Sequence, residues 1–505
     1  MPQGVLPFQY QEETSSAGMT ALAGLPIYLD LAYVAGLSQS IQRHLKLRER
    51  KQGWSDPQII TSLVLLNLAG GDSVEDLGIL EKDAGFGQVL RRVEHYGLGR
   101  KERRALERRW RKERRRAVPS PSAVFRYLAG FHDVEEEQQR PSHQAFIPAP
   151  NEALRGLGKV NADLIAFVQG QSPQRVATLD QDATLVETHK RDALYCYQGY
   201  QAYQPLSTYW AEQGLVIHSE FRDGNVPAGH EQLRVLQEAL ELLPVGVERV
   251  KLRSDTAGYQ QELLKYCAEG KHPKFGVIEF GVGVDVTPQF KKAVLEVAEE
   301  EWHPLEGKPG KPKQEWAEVC FVPNWVGRSK NGPDYRFLAM RELLSRQLEL
   351  PGIEGQQSLP FPTLELPRQG RYKLFGLVTN RDLPGEQVIQ WHRRRCGKSE
   401  EAHGVMKQDL AGGKLPSGNF GENAAWWGIT VLAFNLNVAM QRLVLGEGWL
   451  GKRLKAMRFG LISLPGRVVK HARGLYVRLS GGHPCHELLL RARLRILALA
   501  QGPAG

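Results

Sequence analysis

Three acidic residues stand in settings from which a metal-dependent phosphoryl-transfer site can be built: Asp182, Asp255 and Glu400. Asp182 belongs to Leu179-Asp-Gln-Asp-Ala-Thr184, at the end of a predicted strand. Residues two apart on a strand point to the same face, so Asp180 and Asp182 are presented together, one able to bind metal while the other supports it. Asp255 directly follows the strand-like run ending Arg253-Ser254 and opens a Thr-Ala-Gly-Tyr259 loop, a location that carries active-site groups in open α/β sheets. Glu400 opens the helix-forming stretch Ser399-Glu-Glu-Ala-His-Gly-Val-Met-Lys407. At about 100° per residue, Lys407 returns to nearly the face of Glu400 about two turns away, so a carboxylate for metal and an ammonium for phosphate would share one groove. Each position also has a plainer reading: a turn aspartate, a loop aspartate and a solvated Glu/Lys helix face. Taken together, three carboxylates can hold two Mg²⁺ ions about 3.5–4 Å apart. Hard oxygen ligands suit Mg²⁺, or Mn²⁺ in its stead.

Other chemistries find no support. Gly397-Lys-Ser399 resembles the end of a phosphate-binding loop, but position 392 is His where that loop needs glycine. The fourteen histidines form no HExxH pair, and His189, His392 and His403 are expected to pack or face solvent rather than ligate. No GxSxG is present, and Cys396 has no evident partner base. The five cysteines are far apart and form no CxxC, which argues against a disulfide framework or zinc ribbon and suits a reducing cytoplasm.

The elements that must carry these residues are of two kinds. Residues 18–90 have apolar positions at helical spacing, among them Ile59, Ile60, Leu63, Leu66 and Leu68, so a helical region is expected first. Arg100–Arg116 holds eleven Lys or Arg with three Glu and Trp110, and reads as an exposed basic helix. After residue 175 the pattern turns to strands, at 176–186, 214–222 and 247–255, with amphipathic stretches at 230–243 and 260–268. Candidate strands 275–282, 319–322 and 372–378 are interleaved with a Gly307–Lys313 loop and the Pro-rich run Leu359–Pro367, which suggests an insertion in an α/β domain. Gly385–Leu410, Asn423–Leu445 and Glu487–Ala500 read as helices. The expected organisation is a basic helical region over 1–165, the first half of a core over 166–275 and a β-rich insertion over 276–371. The second half of the core follows over 372–445, and a basic region over 446–505.

Beyond these patterns, the ordered set Leu-Asp-Gln-Asp-Ala-Thr, Leu-Arg-Ser-Asp-Thr-Ala-Gly-Tyr and Cys-Gly-Lys-Ser-Glu-Glu with Lys407 resembles the DDE group 1 transposases of bacterial insertion sequences. The likeness extends to Gly199-Tyr-Gln-Ala-Tyr-Gln-Pro-Leu206, Phe221-Arg-Asp-Gly-Asn225, Leu415-Pro-Ser-Gly-Asn-Phe-Gly-Glu-Asn423 and the stretch beginning Leu464-Pro-Gly-Arg467. It implies a ribonuclease-H-like core interrupted by a mostly β insertion, with a helical DNA-binding region before it and a helical region at the C-terminal side. It implies Asp182, Asp255 and Glu400 as catalytic and metal-binding triad, with Asp180 and Glu401 as neighbouring alternatives. Asp182 is preferred for its Asp-x-Thr match, and Glu400 for its spacing to Lys407. The wider group carries Tyr-x2-Arg-x3-Glu-x6-Lys. Here Glu400 and Lys407 match, whereas Arg393 and Cys396 stand at the first two positions. Arg394 and Arg395 are the nearest substitutes, and Trp391 keeps the aromatic spacing to Arg394, where it can stack on an unpaired base.

The same resemblance implies binding of terminal inverted repeats, strand cleavage and strand transfer with two metal ions, cut-and-paste excision, and a homodimer that joins two double-stranded DNA ends. A ribonuclease-H-like endonuclease without strand transfer, or an inactive transposase-derived DNA-binding protein, would be the alternatives. A formal charge of +10 agrees with a polyanionic partner, and Arg100–Arg116 and residues 452–478 are its basic candidates. No secretory leader is legible in residues 1–25, and the apolar stretches such as Ala424–Ile429 look too short to span a bilayer, so a cytoplasmic, nucleoid-associated protein is expected.

Overall fold

The computed structural model describes residues 18–48, 52–141, 144–190, 192–306, 313–323, 335–345, 361–366, 370–395, 397–472 and 474–501. Gly307–Pro312, Leu359–Pro360, Pro367 and Cys396 lie outside these residues, as do the first seventeen.

The chain begins with helices packed by local rules. Helix α1 (Asp56–Ala69) starts at a Ser55/Gln58 capping box and stops at Gly70, whose φ of 101° suits a residue without a side chain. Helices α2 (Ala84–Glu94) and α3 (Arg100–Glu107) follow, Asp83 capping the former through Phe86 N–H. The basic run therefore does not form one exposed helix. Only Arg100–Glu107 is helical; beyond it, Arg109 turns inward and donates to the carbonyls of Gly53, Arg48 and Trp54. Arg114 lies 4.5 Å from the Trp54 ring centre and pairs with Glu94 at 2.9 Å. Half of the run is thus a strap that ties the helical region together, because buried carbonyls and indole faces hold guanidinium groups better than a helix of repelling charges does.

Helix α4 (Glu152–Gln171) leads into a ten-stranded mixed sheet. Its strands are β1 (Val176–Ala183), β2 (Leu206–Trp210), β3 (Leu215–Glu220), β4 (Arg249–Ser254), β5 (Glu279–Val284), β6 (His303–Leu305), β7 (Gln314–Val319), β8 (Arg336–Ser345), β9 (Thr363–Leu366) and β10 (Gly370–Thr379). The order is β3-β2-β1-β4-β5-β10-β8-β7-β6, with β9 on β10. β1, β4 and β5 run parallel at the centre, and the remaining pairs are antiparallel. β2, β6, β8 and β9 escape a reading from sequence, β2 because Leu206–Trp210 is buried at most positions and shows no alternation, and β7 lies ahead of the expected 319–322. The strands within 276–371 extend the central sheet itself through the β5–β10 pair.

After β10 come α5 (Gly385–Arg393) and α6 (Lys398–Gly404), separated by a short turn, and α6 widens into a π-helical turn at Val405–Asp409. α7 (Phe420–Ala439) crosses the molecule and continues through a π turn to Leu445. Eighteen of its twenty residues are buried, as expected of a helix apolar on every side. Contrary to the sequence expectation, Phe420–Leu445 is long and apolar enough to span a bilayer, with a mean hydropathy of 1.4, yet 78% of that window is buried as the core helix. Its polar residues are used inside. Asn435 accepts from Val216 N–H at 2.9 Å and donates to Val216 O and Asn161, so the edge strand β3 is closed by side chains from α4 and α7. The described chain ends with a hairpin, β11 (Gly466–His471) and β12 (Gly474–Arg478), and helix α8 (Cys485–Ala500). β11 pairs with Met19–Thr20 and Arg493 of α8 reaches Asp30, so early and late segments share one body.

Candidate active site

The site is assembled at the C-terminal ends of β1 and β4. These parallel neighbours are in register from Val176 opposite Arg249 to Gln181 opposite Ser254, so Asp182 and Asp255 emerge side by side one residue later. Such neighbours lie about 4.8 Å apart, close enough that two ionised carboxylates repel strongly. Asp255 also caps the turn after β4, accepting from Ala257 N–H at 3.0 Å, which fixes its side chain.

The two aspartates of the Asp-x-Asp pair take different work. Asp180 is wholly buried and receives both Nε and Nη2 of Arg253, at 2.6 and 2.8 Å. The remaining arm of Arg253 donates to Trp391 O at 2.8 Å, at the end of α5. His392 is likewise held against Ser254 O at 3.0 Å, and burial pushes its imidazole down to about 4, so it is neutral at pH 7. Sheet and α5 are therefore locked together just ahead of the turn that leads to α6. Asp182 instead meets α6: Ser399 Oγ donates to its Oδ2 at 3.0 Å, and His403 Nδ1 stands 3.9 Å away. Burial and the nearby Lys407 and Arg395 lower the imidazole of His403 to about 4, so this contact is not an ion pair at neutral pH.

Charge defines the site more sharply than contact does. Burial raises the carboxyl of Asp182 above the usual range, opposed by Arg395 and Ser399 and reinforced by Glu400. Burial also raises that of Asp255, with Arg395 opposing and Asp182 reinforcing. Asp182, Asp255 and Glu400 thus share one electrostatic neighbourhood. Arg395 is the common counter-charge of the two aspartates, with Nη1 3.7 Å from Asp182 Oδ1, its side chain 12% exposed and its buried Nε without a hydrogen-bond partner among the described residues, while Glu400 stands exposed at the start of α6. Lys407 lies at the same place, half-buried, donating to Leu185 O at 3.1 Å, and burial lowers its ammonium while Asp182 supports it. Glu401 faces elsewhere, into a cavity of about 480 Å³ lined also by Trp391, Arg394, Lys398 and Tyr209. Trp391 is held between cations there, 4.2 Å from Arg381 and 5.4 Å from Arg253, and against Gly281, where a Cβ would come within 3.0 Å of the ring. His189 is exposed.

The neighbouring carboxylates of Asp182 and Asp255, hard oxygens of raised proton affinity, have the chemistry that a divalent cation of the Mg²⁺ kind takes. Among the described residues, no three Asp, Glu, His or Cys side chains are drawn together tightly enough to grip an ion. One further carboxylate went unnoticed in the sequence: Asp285, directly after β5, is raised by burial and by Asp255. Its signal was the same as that of Asp255, an aspartate just past a strand, but it lay in a stretch read as insertion.

The family described as transposase DDE domain group 1 matches the chain over residues 9–322 and 364–501. The chain belongs to the DDE group 1 transposases. This family match takes in all three carboxylates, the sheet centre and both ends of the described chain, and passes over part of the β8–β9 segment. The transposase family places the chain among enzymes of DNA transposition, a class that works with divalent metals. Among solved structures, this transposase is similar to the piggyBac transposase in a synaptic complex with hairpin DNA, seen by cryo-electron microscopy. The identity is 13%, the match covers 88% of this chain and 81% of that one, and the TM-score is 0.45. No curated protein matches it.

Proposed function

We propose that this transposase is the cut-and-paste enzyme of a bacterial insertion sequence, which binds double-stranded DNA at the element's terminal inverted repeats, cleaves it, and transfers the freed strand ends to target DNA. The observation that carries this reading is the parallel register that sets Asp182 beside Asp255 at the strand ends, with Arg395 3.7 Å from Asp182, in a chain of the transposase family. A ribonuclease-H-like core is supported by the meander β1-β2-β3 with β4 and β5 added in parallel on the side of β1. In this reading the regions 1–165 and 446–505 serve DNA, 166–275 and 372–445 form the core together with β5, and the rest of 276–371 is the insertion.

Asp182, Asp255 and Glu400 would hold two Mg²⁺ ions, or Mn²⁺, which when bound supply Lewis-acid stabilisation of the leaving oxygen and ease deprotonation of the attacking hydroxyl. The protein's own groups do the rest. Ser399 holds the carboxylate of Asp182 in orientation, as an outer partner does for a ligand. Arg395 offsets the repulsion between the carboxylates, and Lys407 brings a cation for a DNA phosphate to the same groove. Arg394 and Trp391, in the wall of the neighbouring cavity, would engage the end of the DNA, the guanidinium on phosphate and the indole, packed between Arg381 and Arg253, as the support that fixes that wall. Glu400 rather than Glu401, and Asp182 rather than Asp180, are the ligands we assign, because Asp180 is consumed by Arg253 and Glu401 is turned to the cavity. The enzyme would act in the cytoplasm on the nucleoid, as a homodimer bridging two ends. In place of the first two residues of Tyr-x2-Arg-x3-Glu-x6-Lys, Arg394 and Arg395 would serve.

The deciding experiment is cleavage and joining on a plasmid carrying the element's ends with Mg²⁺, comparing wild type with Asp182→Asn, Asp255→Asn and Glu400→Gln. Loss of both steps in all three variants, with DNA binding retained, is the expected result. Cleavage without joining by the wild type would mean an endonuclease, and binding without cleavage an inactive descendant.

A further inference from the structure

The cavity of about 480 Å³ lies behind α6. Lys398, Glu401, Ala402 and Val405 are in its wall, three, four and seven positions apart, which is one face of a helix. Ser399, which donates to Asp182, and Glu400 are not in that wall. α6 is therefore a partition, with the carboxylates before it and the cavity behind. The far wall comes from the sheet through Tyr209 and from α7 through Phe434 and Val438. A space of this size takes a small organic molecule and excludes a duplex.

Much of the wall is already fixed. Glu212 accepts from Thr178 N–H at 2.8 Å and from its hydroxyl at 2.6 Å, and Arg442 donates to the carbonyls of Gln213 and Glu212. Asn437 accepts from Tyr28 Oη at 2.8 Å. The groups left over are mostly donors. The side chains of Arg394 and Lys398 make no hydrogen bond or ion pair among the described residues, and Lys452 rests on the Trp449 ring at 4.2 Å. Burial, with Asp180 and Glu401, pushes the phenol of Tyr209 up to about 12, so it is an un-ionised donor at neutral pH. With Arg253 neutralised by Asp180, the wall sets Arg394, Lys398, Arg442 and Lys452 against Glu212 and Glu401. The excess is positive, and it stands beside an apolar floor of Val405, Phe434, Val438 and Leu450.

We propose that this cavity binds a small amphipathic anion, an apolar body with a carboxylate or phosphate head, and that its occupant regulates the carboxylate site through α6. This rests on the transposase reading above. The apolar floor selects a free amphiphile over a DNA strand, whose backbone of sugar and phosphate offers it no match. A molecule behind α6 acts on the site only by favouring one placement of Ser399 and Glu400. The anion behind the helix and a divalent cation before it must then change each other's affinity by one common factor.

The test uses anilinonaphthalene sulfonate, an aromatic anion whose fluorescence reports binding, with and without Mg²⁺. Val438→Trp fills the cavity and Lys398→Gln removes a cation from its rim. The Kd of the dye should rise by about 10-fold in either variant. Mg²⁺ should shift the wild-type Kd by about 5-fold or more. Phenyl phosphate should displace the dye, and the dye should alter nicking of a plasmid bearing the element's ends by the wild type but not by Val438→Trp. Unchanged dye affinity in both variants, with wild-type nicking intact, overturns the site and leaves the transposase reading standing. A wild-type Kd indifferent to Mg²⁺ overturns the link through α6. Displacement by a single-stranded oligonucleotide but not by phenyl phosphate gives the cavity to DNA and overturns the proposal. A wild type that takes the dye yet never nicks DNA overturns the transposase reading on which the regulatory role rests.

Discussion

At the scale of single residues, the Asp-x-Asp pair divides structural from chemical duty. Asp180 and Asp182 are two positions apart on β1, yet one is neutralised by a two-pronged arginine and the other is left to Ser399, Arg395 and its fellow carboxylates. Removing one partner of a buried ion pair strands the other, so Arg253→Met should destabilise the fold by about 3–5 kcal/mol in chemical denaturation. Asp182→Asn should do the reverse. Its carboxyl and that of Asp255 are raised by burial and mutual repulsion, so ionisation at neutral pH opposes folding, and that strain is lost when either becomes an amide. Both Asn variants are expected to melt at or above the wild-type temperature while losing more than about 100-fold in cleavage, with Ser399→Ala falling by about 10- to 100-fold. The pH profile follows from the same shifts. Catalysis needs these carboxylates ionised, and their proton affinity is raised, so the acid limb of the rate should lie above the ordinary aspartate range. Arg395 lowers both, hence Arg395→Gln should move the limb to still higher pH; a limb that stays put would remove Arg395 from the site.

At the scale of elements, the site depends on how α5 is pinned to the sheet. Arg253 and His392 fasten its end to β1 and β4, and the short turn that follows can then deliver only α6 over Asp182. The spacing of Glu400 and Lys407 was legible as a shared helix face. What sequence did not reveal is that α6 relaxes into a π turn at Val405–Asp409, after which Lys407 is drawn to Leu185 O near the end of β1. A π turn is set by packing and closure at its far end, here Gly412 and Gly413 N–H bonded to Met406 and Lys407 O, and no residue type marks it in advance. The edge strand β3 offers a separate check. Asn435 meets the backbone of Val216 in both directions, so Asn435→Leu leaves the buried Val216 N–H and Asn161 Oδ1 short of a partner, while Val216 O keeps Asn161, and should cost about 1–3 kcal/mol with little effect on the chemistry of the carboxylates.

At the scale of the whole molecule, the beginning and end of the described chain are one structure. Tyr28 Oη donates to Asn437 of α7 at 2.8 Å, Gly24 lies so close to Leu461 O that a Cβ would meet it at 1.6 Å, and Met19–Thr20 pairs with β11. A fragment holding only residues 18–165 should therefore fail to give a cooperative melt or dispersed amide spectra, whereas an autonomous fold would sink that expectation. Residue types and spacings alone determined the candidate carboxylates, the three strands around them, the later helices and a basic charge balance, because those rest on local periodicity and on chemistry carried by single side chains. Tertiary structure alone decided which aspartate is neutralised, that Arg109 and Arg114 are internal ties instead of free charge, that Asp285 stands beside Asp255, and that Phe420–Leu445 is a core helix. Each of these turns on which distant surface a side chain meets, and burial and pairing between residues on different elements leave no mark in a local pattern.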